Sequence, residues 1–301
     1  METRELWVVL DGGMGRELAR RGAPFRQPEW SALALMEAPE TVRDVHQAYV
    51  ASGARVITTN SYALVPFHIG DERFFADGEG LAALAGQLAR EVADEQKGAV
   101  QVAGSLPPLF GSYRADLFKG DRVNELATPL IRALSPYVDI WLAETMSLIA
   151  EPLALKALLP DDGKPFWVSF TLEDEAPGNE PRLRSGERVA DAVTMLVAAE
   201  VDALLFNCCQ PEVIEGALEV ARTRLQALGR TDIRLGAYAN AFPPQPKEAT
   251  ANDGLDEIRA DLGPLDYLGW AERWRAAGAN LIGGCCGIGP EHIQALSSRL
   301  R

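Results

Sequence analysis

Cysteine and histidine are scarce in this chain: four and three in 301 residues. No Cys-x-x-Cys spacing occurs, which speaks against a thioredoxin-like dithiol. No apolar stretch approaches the roughly 18 residues of a membrane span. The start, Met1-Glu2-Thr3-Arg4-Glu5, lacks the basic and apolar regions of a secretory signal. Basic residues are outnumbered 29 to 43, and the net charge of −14 opposes nucleic acid and anionic membranes as partners. No clear linker divides the sequence, so one domain over residues 1–301 is expected. A soluble cytoplasmic protein follows, in a compartment that keeps thiols reduced. Hydrophobic residues at 47% suffice for a large core.

Eight short apolar runs punctuate the chain: Leu6–Leu10, Arg55–Thr59, Val100–Gly104, Asp139–Ala143, Phe166–Phe170, Ala203–Asn207, Ile233–Ala239 and Asn280–Gly284. Helical spacing fills the gaps, as in Leu81, Leu84, Leu88 and Val92, in Val189, Val193 and Leu196, and in Val42, Val45 and Tyr49. Gly53 and Gly278 occupy matching helix-to-strand junctions, where a left-handed residue ends a helix. Continuous apolar strands imply burial on both faces, as in a parallel sheet wrapped by helices. The predicted fold is therefore α/β, a single-domain (β/α)8 TIM barrel. A doubly wound sheet is the rival, but Asp11-Gly12-Gly13-Met14-Gly15 has the wrong spacing for its dinucleotide fingerprint. Phe242-Pro243-Pro244-Gln245-Pro246 lies in a long seventh loop, residues 241–264, a candidate lid.

In such a barrel the residues at the strand exits share one mouth. Here they are Asp11, Asn60, Ser105, Glu144, Thr171, Cys208, Asn240 and Cys285. No histidine stands at an exit, so His46, His68 and His292 are read as structural. All four cysteines fall in two adjacent pairs, Cys208-Cys209 and Cys285-Cys286, each closing an apolar run. Neighbouring cysteines do not readily pair with each other. Converging at one mouth, they offer three thiolates with an open place, or a closed structural set of four. A regular strand points successive side chains to opposite faces, so the first pair should give one ligand and turn the other away. Gly283-Gly284 lets the second pair turn both inward. Three sulfurs and a vacancy suit a soft partner such as a substrate thiol, and a metal there makes that thiol a thiolate. The implied reaction is alkyl transfer onto sulfur.

Several stretches carry a resemblance over essentially the full length. They are Leu10-Asp11-Gly12-Gly13-Met14-Gly15, Val56-Ile57-Thr58-Thr59-Asn60-Ser61-Tyr62, Ala103-Gly104-Ser105-Leu106, Glu144-Thr145, Phe206-Asn207-Cys208 and Gly283-Gly284-Cys285-Cys286-Gly287. The chain resembles the homocysteine S-methyltransferase family, whose fold is the same barrel. The resemblance implies zinc held by Cys208, Cys285 and Cys286, with the homocysteine sulfur as fourth ligand. It implies that Glu144 receives the amino group and that the Asp11-Gly12 turn lines the amino-acid pocket. Asp11 and Glu144 are the candidate catalytic residues, and Asp11, Gly12, Asn60, Ser105, Glu144 and Thr145 the candidate substrate-binding set. Asn60 and Asn207 have a blander reading, as braces of the mouth. The expected partners are homocysteine and a small methyl donor, and the expected state is a monomer or small homo-oligomer.

Some positions depart from the family. Arg16 stands where many relatives carry a small residue, and Cys209 has no part in the pattern. Thr145 after Glu144 is more like the S-methylmethionine-using members than the betaine-using ones. The chain stops at Arg301 without the extension of the betaine enzymes, and no folate or cobalamin modules follow. S-methylmethionine is thus the expected donor. Two alternatives stand beside this one: transfer to another thiol or selenol, and a non-catalytic barrel with a structural four-cysteine site.

Overall fold

The apolar runs fold as eight short parallel strands in the computed structural model, which describes residues 7–246, 249 and 257–299. They are β1 (Val8–Val9), β2 (Val56–Thr58), β3 (Gln101–Leu106), β4 (Ile140–Met146), β5 (Phe166–Phe170), β6 (Ala203–Asn207), β7 (Arg234–Tyr238) and β8 (Leu281–Ile282). Neighbours in sequence pair in parallel, β1 pairs with β8, and a bridge from Leu10 to Val56 closes the ring. With helices between the strands, this is the expected (β/α)8 barrel, and the doubly wound sheet is excluded. The runs at β5 and β6 coincide with the strands residue for residue. β1 and β8 are shorter than their runs, because beyond Ile282 the Gly284 amide leaves the ladder for the Asp11 carbonyl, 2.9 Å away.

Alternate residues of each strand divide between two apolar clusters. Leu10, Val56, Ala103, Leu142, Trp167, Leu205 and Leu281 fill the barrel interior. Val9, Ile57, Val102, Ala143, Val168, Phe206 and Ile282 join the much larger cluster that the helices share. Burial on both faces explains why the runs read as continuous rather than alternating. On the helix Pro39–Ala51, Val42, Val45 and Tyr49 are all buried, as are Val189, Val193 and Leu196 on Val189–Ala198. On Asp71–Asp94, Leu88 and Val92 are buried while Leu81 and Leu84 are only half covered. Gly53 and Gly278 take φ of +108° and +115°, the left-handed conformation expected of both junctions.

The described residues hold eleven α-helices rather than one per strand. The additions cluster early: Met14–Arg20 and Ser31–Glu37 precede Pro39–Ala51, and the turn Pro66–Ile69 precedes Asp71–Asp94. They wall the mouth, so the first two strand-to-helix connections are built structure rather than simple loops. Among the described residues no helix is long and apolar enough to cross a membrane. Residues 1–6, 247–248, 250–256 and 300–301 lie outside the described residues, and with them Leu6, the chain start and much of the expected lid.

Candidate metal centre

At the tip of β6 the backbone turns at Cys208, whose φ of +53° is left-handed and uncommon for a residue with a Cβ. The turn sends the Cys208 sulfur into the mouth and Cys209 into the wall, where Cys209 is fully buried in the helix-facing core. Burial raises the Cys209 thiol far above the ordinary range. The sulfurs of Cys208, Cys285 and Cys286 lie within 4.8 Å of one another, and Cys285 Sγ donates to Cys208 Sγ at 3.0 Å. Among the described residues this is the one group of His, Cys, Asp or Glu side chains placed to hold a metal. A closed four-cysteine site is ruled out by the direction of Cys209.

Cys286 differs from its two neighbours in the direction its surroundings push it. Hydrogen bonds from Cys208 and Cys285, with the nearby Arg16 charge, hold its pKa well below the ordinary value against the cost of burial. Cys285 moves the other way, through its contacts with Cys208 and Cys286 and through burial. The Arg16 guanidinium also sits 5.3 Å from the centre of the Phe242 ring.

Glu144 reaches the mouth through a bulge. Three residues of β4, Glu144 to Met146, advance the ladder by only two on β5, and Thr145 takes φ of +58°, a strained value for a β-branched residue. Asn207 secures that strain: its Oδ1 accepts the Thr145 amide at 3.0 Å and its Nδ2 donates to Thr145 Oγ1 at 2.8 Å. Ser105 Oγ donates to Glu144 Oε1, and Tyr238 donates to Oε2 at 3.3 Å. Burial pushes the Glu144 carboxyl up to about 7 despite those two bonds. Asp11 stands beside it. Burial, with the Glu144 charge adding, raises Asp11 to about 7 against hydrogen bonds from the Thr58 amide at 2.7 Å and hydroxyl at 3.2 Å.

These groups open on a cavity of about 630 Å³. Asp11, Gly12, Asn60, Glu144, Thr145 and all three mouth-facing cysteines line it. Ser105, Thr171 and Asn240 do not; they stand behind the wall. Ser105 therefore supports Glu144 instead of meeting a ligand itself, which corrects its expected place in the substrate-binding set. Thr171 donates to the Cys208 carbonyl at 3.2 Å, and Asn240 Oδ1 accepts the Phe242 amide at 3.2 Å. Asn60 both lines the cavity and donates to the Ser31 carbonyl at 3.1 Å, the bracing role anticipated for it.

Gly12 has a packing reason of its own. A Cβ there would overlap the Ile288 carbonyl and stand 2.8 Å from the Tyr49 ring, whose hydroxyl donates to that carbonyl and to that of Gly13. Gly284 likewise leaves no room for a Cβ beside Ile288, so the glycines before Cys285 serve close approach more than a sharp bend. Because a backbone carbonyl cannot move aside as a side chain can, Gly12→Ala should cost about 1–3 kcal/mol of stability. Urea denaturation of the purified variant measures this, and an unchanged midpoint contradicts it.

Several lining groups gave no signal in the sequence. Phe25, Trp30 and Tyr113 come from loops without periodicity, and Tyr238 is hidden in an apolar strand; Phe242, by contrast, opens the proline-rich stretch singled out in the seventh loop. His68 also lines the cavity, with Nδ1 3.1 Å from the Pro28 carbonyl, so one of the three histidines does face the site. His292 is structural, bonded to the Gly289 amide and near the Leu262 carbonyl. His46 is wholly buried, and burial holds it neutral with a pKa of about 4.

Known proteins resemble this chain in sequence and in fold. The sequence profile of a family described as homocysteine S-methyltransferase matches residues 8–300. The chain is 33% identical to the homocysteine S-methyltransferase of Escherichia coli (strain K12), over 97% of its own length and 94% of that protein. It is 28% identical to the selenocysteine Se-methyltransferase of Brassica oleracea var. italica, over 98% and 89%. The crystal structure of the homocysteine methyltransferase MmuM from Escherichia coli, in its metallated form, superposes with a TM-score of 0.76 at 30% identity, covering 99% of this chain and 97% of that one.

Proposed function

The chain belongs to the homocysteine S-methyltransferase family and is a methyltransferase, and from that premise we propose that it moves a methyl group from S-methylmethionine to the sulfur of homocysteine, giving methionine. The observation that carries the proposal is the common opening of three cysteine sulfurs and a buried carboxylate on one cavity. Three sulfurs with no fourth ligand among the described residues suit zinc with one open place, held by Cys208, Cys285 and Cys286. Zinc bound there supplies the Lewis acid that keeps the acceptor sulfur a thiolate at neutral pH.

The protein's own groups do the rest. Glu144, steadied by Ser105 and Tyr238, takes the ammonium group of homocysteine, and the Asp11-Gly12 turn closes around the amino-acid end. Asp11 and Glu144 both sit near neutrality when no ligand is present. Cationic ligands draw both toward the ionised form, so binding and ionisation reinforce each other. The positively charged donor rests among the aromatic faces of the cavity, where a cation is favoured over a neutral product. The acceptor sulfur then attacks the methyl carbon in line with the departing sulfur, in one step and without a covalent enzyme intermediate. Holding both reactants at contact distance supplies much of the acceleration.

A panel of donors tests the choice. With homocysteine as acceptor, S-methylmethionine should give methionine at least ~10-fold faster than betaine, S-adenosylmethionine or a methylfolate, a difference worth one modest binding contact. Faster transfer from betaine would overturn the donor, and no methionine from any of the four would overturn the function. A second reading is favoured by the selenocysteine methyltransferases of Brassica oleracea and Astragalus bisulcatus among the relatives, at 28% and 25% identity. It replaces the acceptor thiol by a selenol at the same site, and competition between homocysteine and selenocysteine for one donor separates the two.

A further inference from the structure

Phe242-Pro243-Pro244-Gln245-Pro246 walls the cavity through Phe242, Gln245 and Pro246, and it has few backbone donors of its own. Three of its five residues are prolines, which carry no N–H. Of its two amides, one goes to Asn240 and the other, on Gln245, to Asp174 Oδ1 at 3.1 Å. Asp174 forms an ion pair with Arg184 at 3.1 Å, and their side chains are only 1% and 4% exposed. Both stand on the excursion that follows β5, where Leu172 bridges Leu183. Arg184 completes the grip: Nη1 donates to the Gln245 carbonyl at 3.1 Å and Nη2 to the Pro246 carbonyl at 2.6 Å. The pair thus holds the amide and the carbonyl of one residue at once. Asp174 Oδ2 also accepts the Gln210 amide at 3.1 Å, just after the cysteine turn, and Gln210 Nε2 donates to the Phe242 carbonyl.

Arg184 makes one more contact. Its guanidinium lies 4.9 Å from the centre of the Tyr113 ring, and the Tyr113 hydroxyl donates to Cys208 Sγ at 3.2 Å. We propose that Arg184 and Asp174 are positioning residues for methyl transfer, fixing the proline strap as the wall of the donor's part of the cavity and keying it to the cysteine cluster through Gln210 and Tyr113. This rests on the reading of the cavity as a two-substrate site. There the acceptor's anchors are the cysteines, Glu144 and the Asp11-Gly12 turn, and the donor is given the rest of the lining, to which Phe242, Gln245 and Pro246 belong. A buried ion pair is seldom a net source of stability, so its presence here fits a demand for geometry.

The test uses the apolar pair Asp174→Leu with Arg184→Met, which leaves no buried charge unpaired and no acceptor for the Gln245 amide, and Arg184→Lys, which keeps the charge but not the fork. Gln245 carries the sole N–H between Pro243 and Pro246, so its hydrogen exchange reports the strap directly. In the double variant that amide should exchange at least ~10-fold faster, as expected for the loss of one hydrogen bond to a charged group. The KM for the methyl donor should rise by about 10-fold while KM for homocysteine and bound zinc change less than about 2-fold, and Arg184→Lys should fall between. Wild-type exchange at Gln245 in the folded double variant overturns the anchoring. Faster exchange with an unchanged donor KM overturns the positioning role. If the wild-type enzyme methylates no acceptor, the functional reading fails by itself, and the exchange measurement still decides the anchoring.

Discussion

Cys208→Ser should leave the purified protein nearly free of zinc and lower kcat/KM for methyl transfer by at least ~10³-fold, a loss of about 4 kcal/mol in transition-state stabilisation. A serine hydroxyl does not ionise near neutral pH, so the variant offers two thiolates where the site has three. The vacancy that should take the acceptor sulfur then competes with the gap left by Cys208. Folding should survive, because Cys208 stands at a strand tip while the barrel interior and the helix-facing core are built from other residues. Cys209→Ser is the matched control. Its thiol is buried in the wall, so the change should cost stability and leave the zinc in place. Metal analysis with circular dichroism on both variants decides the matter. Equal zinc in Cys208→Ser and wild type would contradict the ligand assignment.

Glu144→Gln should lower kcat/KM for homocysteine by about 10²–10³-fold, the usual cost of leaving one member of a buried charge pair without its partner. The amide oxygen can accept from one of Ser105 and Tyr238 while its NH2 donates to the other's hydroxyl oxygen, so shape is conserved and the charge is lost. The pH dependence has a definite sign. The folded-state pKa of Glu144 is raised to about 7, so the carboxyl is protonated below that pH and ionised above it. An ammonium group needs the ionised form. Binding of methionine, which has no thiol to complicate the titration, should therefore tighten from pH 6 to pH 8 by about 10-fold, as the ionised fraction grows. Asp11 titrates in the same range and feels the Glu144 charge, so the midpoint belongs to the pair. Calorimetric titration of wild type and Glu144→Gln should show the slope in the first and a much flatter one in the second. Parallel slopes would place the charge elsewhere.

Much of this was legible because strands buried on both faces leave continuous apolar runs, and because their exits must share one mouth. Strand alternation alone predicts one ligand from the first pair, the resemblance says which, and the left-handed turn at Cys208 is what sends Cys209 into the wall. What stayed hidden depended on departures from regular geometry. The bulge at Glu144-Thr145 and the left-handed Cys208 have no residue signature, since neither Thr nor Cys advertises positive φ. Ser105 looked like a ligand-binding residue because it ends a strand, yet the extra residue in β4 brings Glu144 in front of it. Asp174 and Arg184 lie ten residues apart in a stretch without periodicity, so their pairing across the proline strap appears only in three dimensions. His68 stands far from any strand exit in the sequence, yet the short helix Pro66–Ile69 carries it to the cavity.

X-ray absorption at the zinc edge, on the zinc-loaded protein before and after homocysteine is added, tests the central claim most directly. Three sulfur scatterers at about 2.3 Å with one lighter ligand should become four sulfurs when homocysteine binds. Four sulfurs before the addition, or three both before and after, would contradict an open site completed by the substrate.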